Sequence, residues 1–86
     1  SDDSNMPTTE LADADLTDGK ITVIDLLLKC GLVPSKGEGR RLVQQGGVVV
    51  NDEKVTSIDA SFTAEQLKDG LKIRKGKKIF HKVVMQ

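Results

Sequence analysis

The sequence predicts an α+β domain, two packed helices against a small and mostly antiparallel sheet, and three observations lead there. Capping signals at Thr22-Val23-Ile24-Asp25 and Ser35-Lys36-Gly37-Glu38 are each followed by a glycine, Gly31 and Gly46, placed to stop a short helix. A β-branched run follows at Val48 to Val50 and a β-rich one at Ile79 to Met85, and an apolar/basic alternation starts at Leu71. The chain has 86 residues, 37% of them hydrophobic, with Phe62 and Phe80 as its aromatics, so it suits one small domain with an aliphatic core. Such a domain buries only about 60% of the surface its unfolded chain exposes.

Residues 1–19 carry six acids, no Lys or Arg and few apolar side chains, which reads as an acidic flexible linker before a domain spanning 20–86. Within it, Pro7 to Leu11 is expected to be extended. The first helix runs from about Val23 to Cys30. Its apolar residues Val23, Ile24, Leu26, Leu27, Leu28 and Cys30 span about 200° of the wheel, while Asp25 and Lys29 form an i,i+4 pair on the remainder. A helix of this kind is buried on two sides, and Cys30 belongs to the packed arc rather than to a nucleophilic site.

Gly31 to Pro34 is a short connector, and the second helix spans about Lys36 to Gln45. Gly39, Leu42 and Val43 fall on its packed side, with Lys36, Arg40 and Gln44 adjoining and Arg41 farther round. Lys36 lies in the first turn, where the helix dipole disfavours a cation, a conflict that a bound phosphate would relieve. The same periodicity also describes an ordinary solvated face. Gly46-Gly47 leads into a strand at Val48 to Val50, Asn51-Asp52 is turn chemistry, and Glu53 to Val55 is the returning arm. Thr63 to Gln66 repeats the capping-box spacing over one helical turn before Asp69-Gly70, and Leu71 to Arg74, a turn at Lys75-Gly76 and Ile79 to Met85 make a second hairpin.

The run Ser35-Lys36-x-Glu38-Gly39-Arg40-Arg41-Leu42-Val43-x-x-Gly46-Gly47-Val48-x-Val50-Asn51, with Gly31-Leu32 upstream, resembles the S4-type RNA-binding motif. Leu71-Lys72-Ile73-Arg74-Lys75-Gly76-Lys77-Lys78-Ile79-Phe80 further resembles the end of the C-terminal domain of bacterial tyrosyl-tRNA synthetases. The likeness covers Ile21 to Val84 and, more loosely, Pro7 to Leu11. It implies an S4-like (αL) fold. Two positions depart from the family pattern: Gly39 stands where Ala is usual, and Gly37 where a larger polar residue is common. Each glycine weakens the helix by about 1 kcal/mol. Gly39 faces the packed side and suits a close approach to the preceding helix; Gly37 has no such account.

Formal net charge is zero, but all 13 basic residues lie in 20–86 with seven acids, so the predicted domain carries +6. From Lys72 to Lys82 there are six Lys or Arg, plus His81, and no acid. Such a cluster costs self-repulsion that a phosphate backbone turns into attraction with counterion release. With no Tyr or Trp, stacking of single strands is disfavoured, and recognition by shape and phosphate of a folded RNA is expected.

The resemblance implies binding of tyrosine tRNA, including its long variable arm and anticodon stem region, by Lys36, Arg40, Arg41, Asn51, Lys75, Lys77 and Lys78. Charge placement adds Lys54, Lys72 and Arg74. Arginines suit paired phosphate oxygens, and Asn51 a ribose or base edge. The resemblance also implies that residues 1–19 tether the domain to a catalytic domain that uses ATP and tyrosine, in a parent enzyme that is a homodimer, with the fragment itself a monomer. Sequences like the enzyme's H-I-G-H and K-M-S-K-S nucleotide signatures are absent, and His81 has no Ser or Cys partner and reads as basic surface, so catalysis is not expected in this chain. One Cys and one His supply neither a disulfide nor a metal site, no cofactor is expected, and no apolar run approaches a membrane span, which together read as cytoplasmic. The competing readings are the S4-type module of a ribosome-associated factor or pseudouridine synthase, and a protein-interaction module whose basic hairpin docks an acidic surface.

Overall fold

The computed structural model describes residues 6–86; the first five residues of the expected linker lie outside the described residues. Ten elements follow in order: β1 (Thr8–Leu11), β2 (Lys20–Thr22), α1 (Val23–Lys29), α2 (Lys36–Gln44), β3 (Val48–Val50), β4 (Glu53–Lys54), β5 (Ser61–Thr63), α3 (Ala64–Lys68), β6 (Leu71–Lys75) and β7 (Ile79–Met85). Three helices pack against a five-stranded sheet of order β1-β7-β6-β3-β4, and β2 and β5 form a separate antiparallel ribbon. The α+β class expected from the sequence holds.

The helices stand where the capping chemistry places them. Thr22 Oγ1 accepts from the Asp25 amide at 3.2 Å and Ser35 Oγ from the Glu38 amide at 3.3 Å. Both helices end in the same glycine motif. Gly31 and Gly46 adopt φ of +71° and +74°, their amides bond to Leu28 and Val43, and the next amides, of Leu32 and Gly47, bond back to Leu27 and Leu42. Only glycine takes that conformation without cost, so the two ends fix where the connector and β3 start. Val23, Ile24, Leu26 and Leu27 of α1 are all buried, and Leu28 and Cys30 pack against the core, as a two-sided apolar arc requires.

Gly39 is buried, and a methyl there would lie 3.3 Å from Ile24 Cγ2, so the close approach to α1 accounts for it. Gly37 is exposed, with only Ser35 Oγ near its missing methyl, at 3.9 Å. Asn51 and Asp52 take φ of +50° and +69°, the pair of left-handed residues that a two-residue hairpin demands, and join β3 to β4. A full capping box, Thr63 with Gln66, starts α3, which runs a little beyond the single turn expected.

The extended backbone expected at Pro7 to Leu11 is present over Thr8–Leu11, but as part of the sheet and not of a free linker. These residues form β1, an edge strand parallel to β7 with Thr8 opposite Lys82 and Leu11 opposite Met85, and Leu11 is 1% exposed in the core. A 3-10 turn at Asp13–Asp15 follows, in which Asp15 accepts from the Ala12 amide and from Lys29 Nζ. Local composition marked this stretch as polar because the apolar surface that β1 covers is supplied by the far end of the chain. The same strand makes the sheet mixed.

His81 is also not the surface group expected. It is 8% exposed on the core side of β7, with Nε2 2.6 Å from Thr9 Oγ1, and burial pushes its pKa below the ordinary histidine value. Cys30 is half-buried as expected, and burial pushes its thiol up to about 11.

Candidate nucleic-acid interface

Alternation along paired strands sorts the basic hairpin into two groups, because successive side chains point to opposite faces of a sheet. Leu71, Ile73, His81 and Val83 are buried on the face that carries the helices. Lys75 shares that face, and its Nζ donates to the Leu32 carbonyl at 2.7 Å, in the connector between α1 and α2. Lys72, Arg74, Phe80 and Lys82 lie on the opposite, outer face, where Arg74 pairs with Phe80 and Lys72 with Lys82.

The turn between β6 and β7, which carries Lys77 and Lys78, is pinned on two sides. Lys75 ties it to Leu32, ahead of α2, and the Gly76 amide donates to the Gly47 carbonyl at 2.8 Å, just after α2. The tip of the hairpin thus lies alongside the helix pair. Lys77 and Lys78 are exposed and make no ion pair among the described residues.

On α2, Lys36, Arg40 and Arg41 are all exposed. Lys36 Nζ lies 3.7 Å from Asp25 Oδ1, so a carboxylate from α1 already eases its conflict with the helix dipole. Arg41 bonds Glu38 at 3.1 Å, one turn back. Both pairs are solvent-exposed and weak enough to exchange for phosphate oxygens. Arg40 has no acidic partner among the described residues.

Besides Lys75, two more of the expected contact residues have structural work. Asn51 Oδ1 accepts from the Lys72 amide at 2.9 Å while its own amide donates to the Lys72 carbonyl, so its side chain holds the β3–β4 turn to β6. Lys54 lays its stem and ammonium against Gly46, close to the carbonyl end of α2, where a cation is favoured. The remaining expected residues occupy three places: the exposed flank of α2, the β6–β7 tip, and the outer sheet face. Sequence reasoning left out Lys82 and Phe80 of that outer face. The period-2 alternation through Lys72, Arg74, Phe80 and Lys82 was the signal that would have grouped them.

A family model described as the tyrosine-tRNA ligase SYY-like C-terminal domain matches residues 2–83. The chain belongs to that family. A tyrosine-tRNA ligase of Acetivibrio thermocellus is 55% identical over 80 residues, covering 92% of this chain and 19% of that protein. One from Clostridium botulinum (strain Loch Maree / Type A3) is 48% identical over 83 residues, covering 95% and 20%. A solution structure of a tyrosyl-tRNA synthetase C-terminal domain superposes with a TM-score of 0.71 at 27% identity, covering 96% of this chain and 81% of that one. The chain thus spans about a fifth of the length of the ligases it matches, and the match is to their C-terminal domain. No helix among the described residues is long and apolar enough to cross a membrane.

Proposed function

We propose that this domain binds tyrosine tRNA, with the long variable arm and anticodon stem region lying against the α2 flank and the β6–β7 tip, and so supports tyrosylation by a separate catalytic domain. The observation that carries this reading is the pinning of the hairpin tip beside α2 by the Lys75–Leu32 and Gly76–Gly47 bonds, together with family membership. These bonds bring the β6–β7 tip to the two segments that bracket α2. Arg40 and Arg41 offer forked donors for phosphate oxygens, and Lys36, Lys77 and Lys78 act as point charges. Lys75 acts by aiming the tip, and Asn51 by fixing the adjacent turn.

Neutralising phosphates in this way makes affinity fall with salt, and each phosphate neutralised adds close to one logarithmic unit of slope. The parent protein, on this reading, is a cytoplasmic homodimer that uses ATP and tyrosine, with this domain contributing affinity and orientation. The test compares binding of tyrosine tRNA with that of a tRNA lacking the long variable arm, at several salt concentrations. Tighter binding of tyrosine tRNA, with a salt slope reduced in Lys77→Ala/Lys78→Ala, is the expected result. Equal, weak binding of both RNAs contradicts the proposal.

A further inference from the structure

We infer that the outer face of the sheet is a second RNA contact surface, on which an unpaired nucleotide stacks against Phe80 between flanking cations; this rests on the tRNA-binding reading above and adds a contact it does not contain.

The strand register builds the surface. One row crosses four strands as Lys54, Val49, Arg74 and Phe80, and the next crosses three elements as Lys72, Lys82 and Thr8, with Asn51 bonded at the Lys72 end. Neither row contains an acid. Opposite residues in a row have their Cβ atoms about 5 Å apart, so Arg74 stands beside the Phe80 ring. Phe80 is 40% exposed, whereas the chain's other aromatic, Phe62, packs against the core. Val49, in the middle of the first row, is only 9% exposed, so the face has a covered apolar floor rather than a purely polar one.

Phe80 keeps 40% of its surface exposed beside these cations. It matches the requirements of a nucleotide, which offers a π-face to the ring and an anion to the surrounding cations. Arg74 extends the stacking plane through its guanidinium, and its Nε is buried without a hydrogen-bond partner, leaving the terminal nitrogens to meet the ligand. Lys72 and Lys82 border a shallow hollow with Asn51 and Gly70, in position to hold the phosphate or sugar of the stacked residue. Paired bases keep their faces inside a helix, so the occupant is an unpaired, splayed nucleotide, and the α2 flank remains the place for duplex backbone.

The test uses the 86-residue chain and transcribed tyrosine tRNA, with Phe80→Ala, Phe80→Leu and Phe80→Trp variants whose fold is checked by amide spectra. Phe80→Ala and Phe80→Leu should each bind at least about five-fold more weakly, the lower range for removing one base-aromatic stack. Phe80→Trp should bind as the parent does, and its indole fluorescence should be quenched when RNA is bound. Charge reversal at Lys72 and Lys82 should abolish that quenching. If the parent chain binds tyrosine tRNA but the Phe80 variants bind equally well and the indole is unchanged, the sheet-face contact is overturned while the α2 and hairpin reading stands. If the parent chain does not bind at all, both fall.

Discussion

At the scale of single residues, burial decides chemistry that composition leaves open. The Cys30 thiol, held up at about 11, is almost wholly protonated at pH 8. Its thiolate fraction there is roughly a thousandth, against about a quarter for an unperturbed cysteine, so native alkylation should run about two orders of magnitude slower than in urea. Timed reaction with iodoacetamide, followed by mass spectrometry, measures the ratio. His81 gives the opposite sign of perturbation. Burial lowers its folded pKa below the unfolded value near 6.5, so the unfolded chain binds the proton more readily. Stability from keeping it neutral is complete above that value and is lost as pH falls toward the folded pKa. Urea midpoints should therefore drop between pH 7.5 and 5.5, where most carboxylates stay ionised, and His81→Gln should remove most of that drop. The sequence identified both residues but not their surroundings: Cys30 followed from the helical wheel, whereas the burial of His81 depends on Thr9, 72 positions away.

Elements were legible in proportion to how local their causes are. The caps at Thr22, Ser35 and Thr63, the stops at Gly31 and Gly46 and the Asn51-Asp52 turn act within a few residues, and each lies where the sequence places it. The extended backbone of β1 was legible but its pairing was not, because a parallel edge strand takes its partner from the other end of the chain. That difference is measurable. Leu11→Ala should cost about 2–5 kcal/mol in urea unfolding, the range for a fully buried leucine, whereas a residue in a free linker would cost next to nothing. On α2, the two glycines separate cleanly. Gly37→Ala meets only Ser35 Oγ, at an ordinary contact distance of 3.9 Å, and should stabilise the domain by up to about 1 kcal/mol. Gly39→Ala carries the same propensity gain but presses on Ile24, and should gain less. The candidate site was half legible for a related reason: charge counting found the basic hairpin, yet only the strand register assigns Lys75 to the helix side and Lys72, Arg74 and Lys82 to the other.

For the whole molecule, the core is aliphatic, and the proposed RNA contacts lie on two charged surfaces, the α2 flank with the β6–β7 tip and the outer face of the sheet. Net charge hides this, because six of the 13 acids and none of the bases lie in 1–19. The central claim is that the α2 flank and the β6–β7 tip act as one landing area for tyrosine tRNA. Amide shift mapping of the labelled chain during titration with that tRNA at low salt tests it most directly. The account predicts shifts at Lys36 to Arg41 and at Gly76 to Lys78 that follow one binding curve and fade together as salt is raised. Shifts that leave either segment untouched, or two segments that saturate at different concentrations, would contradict it.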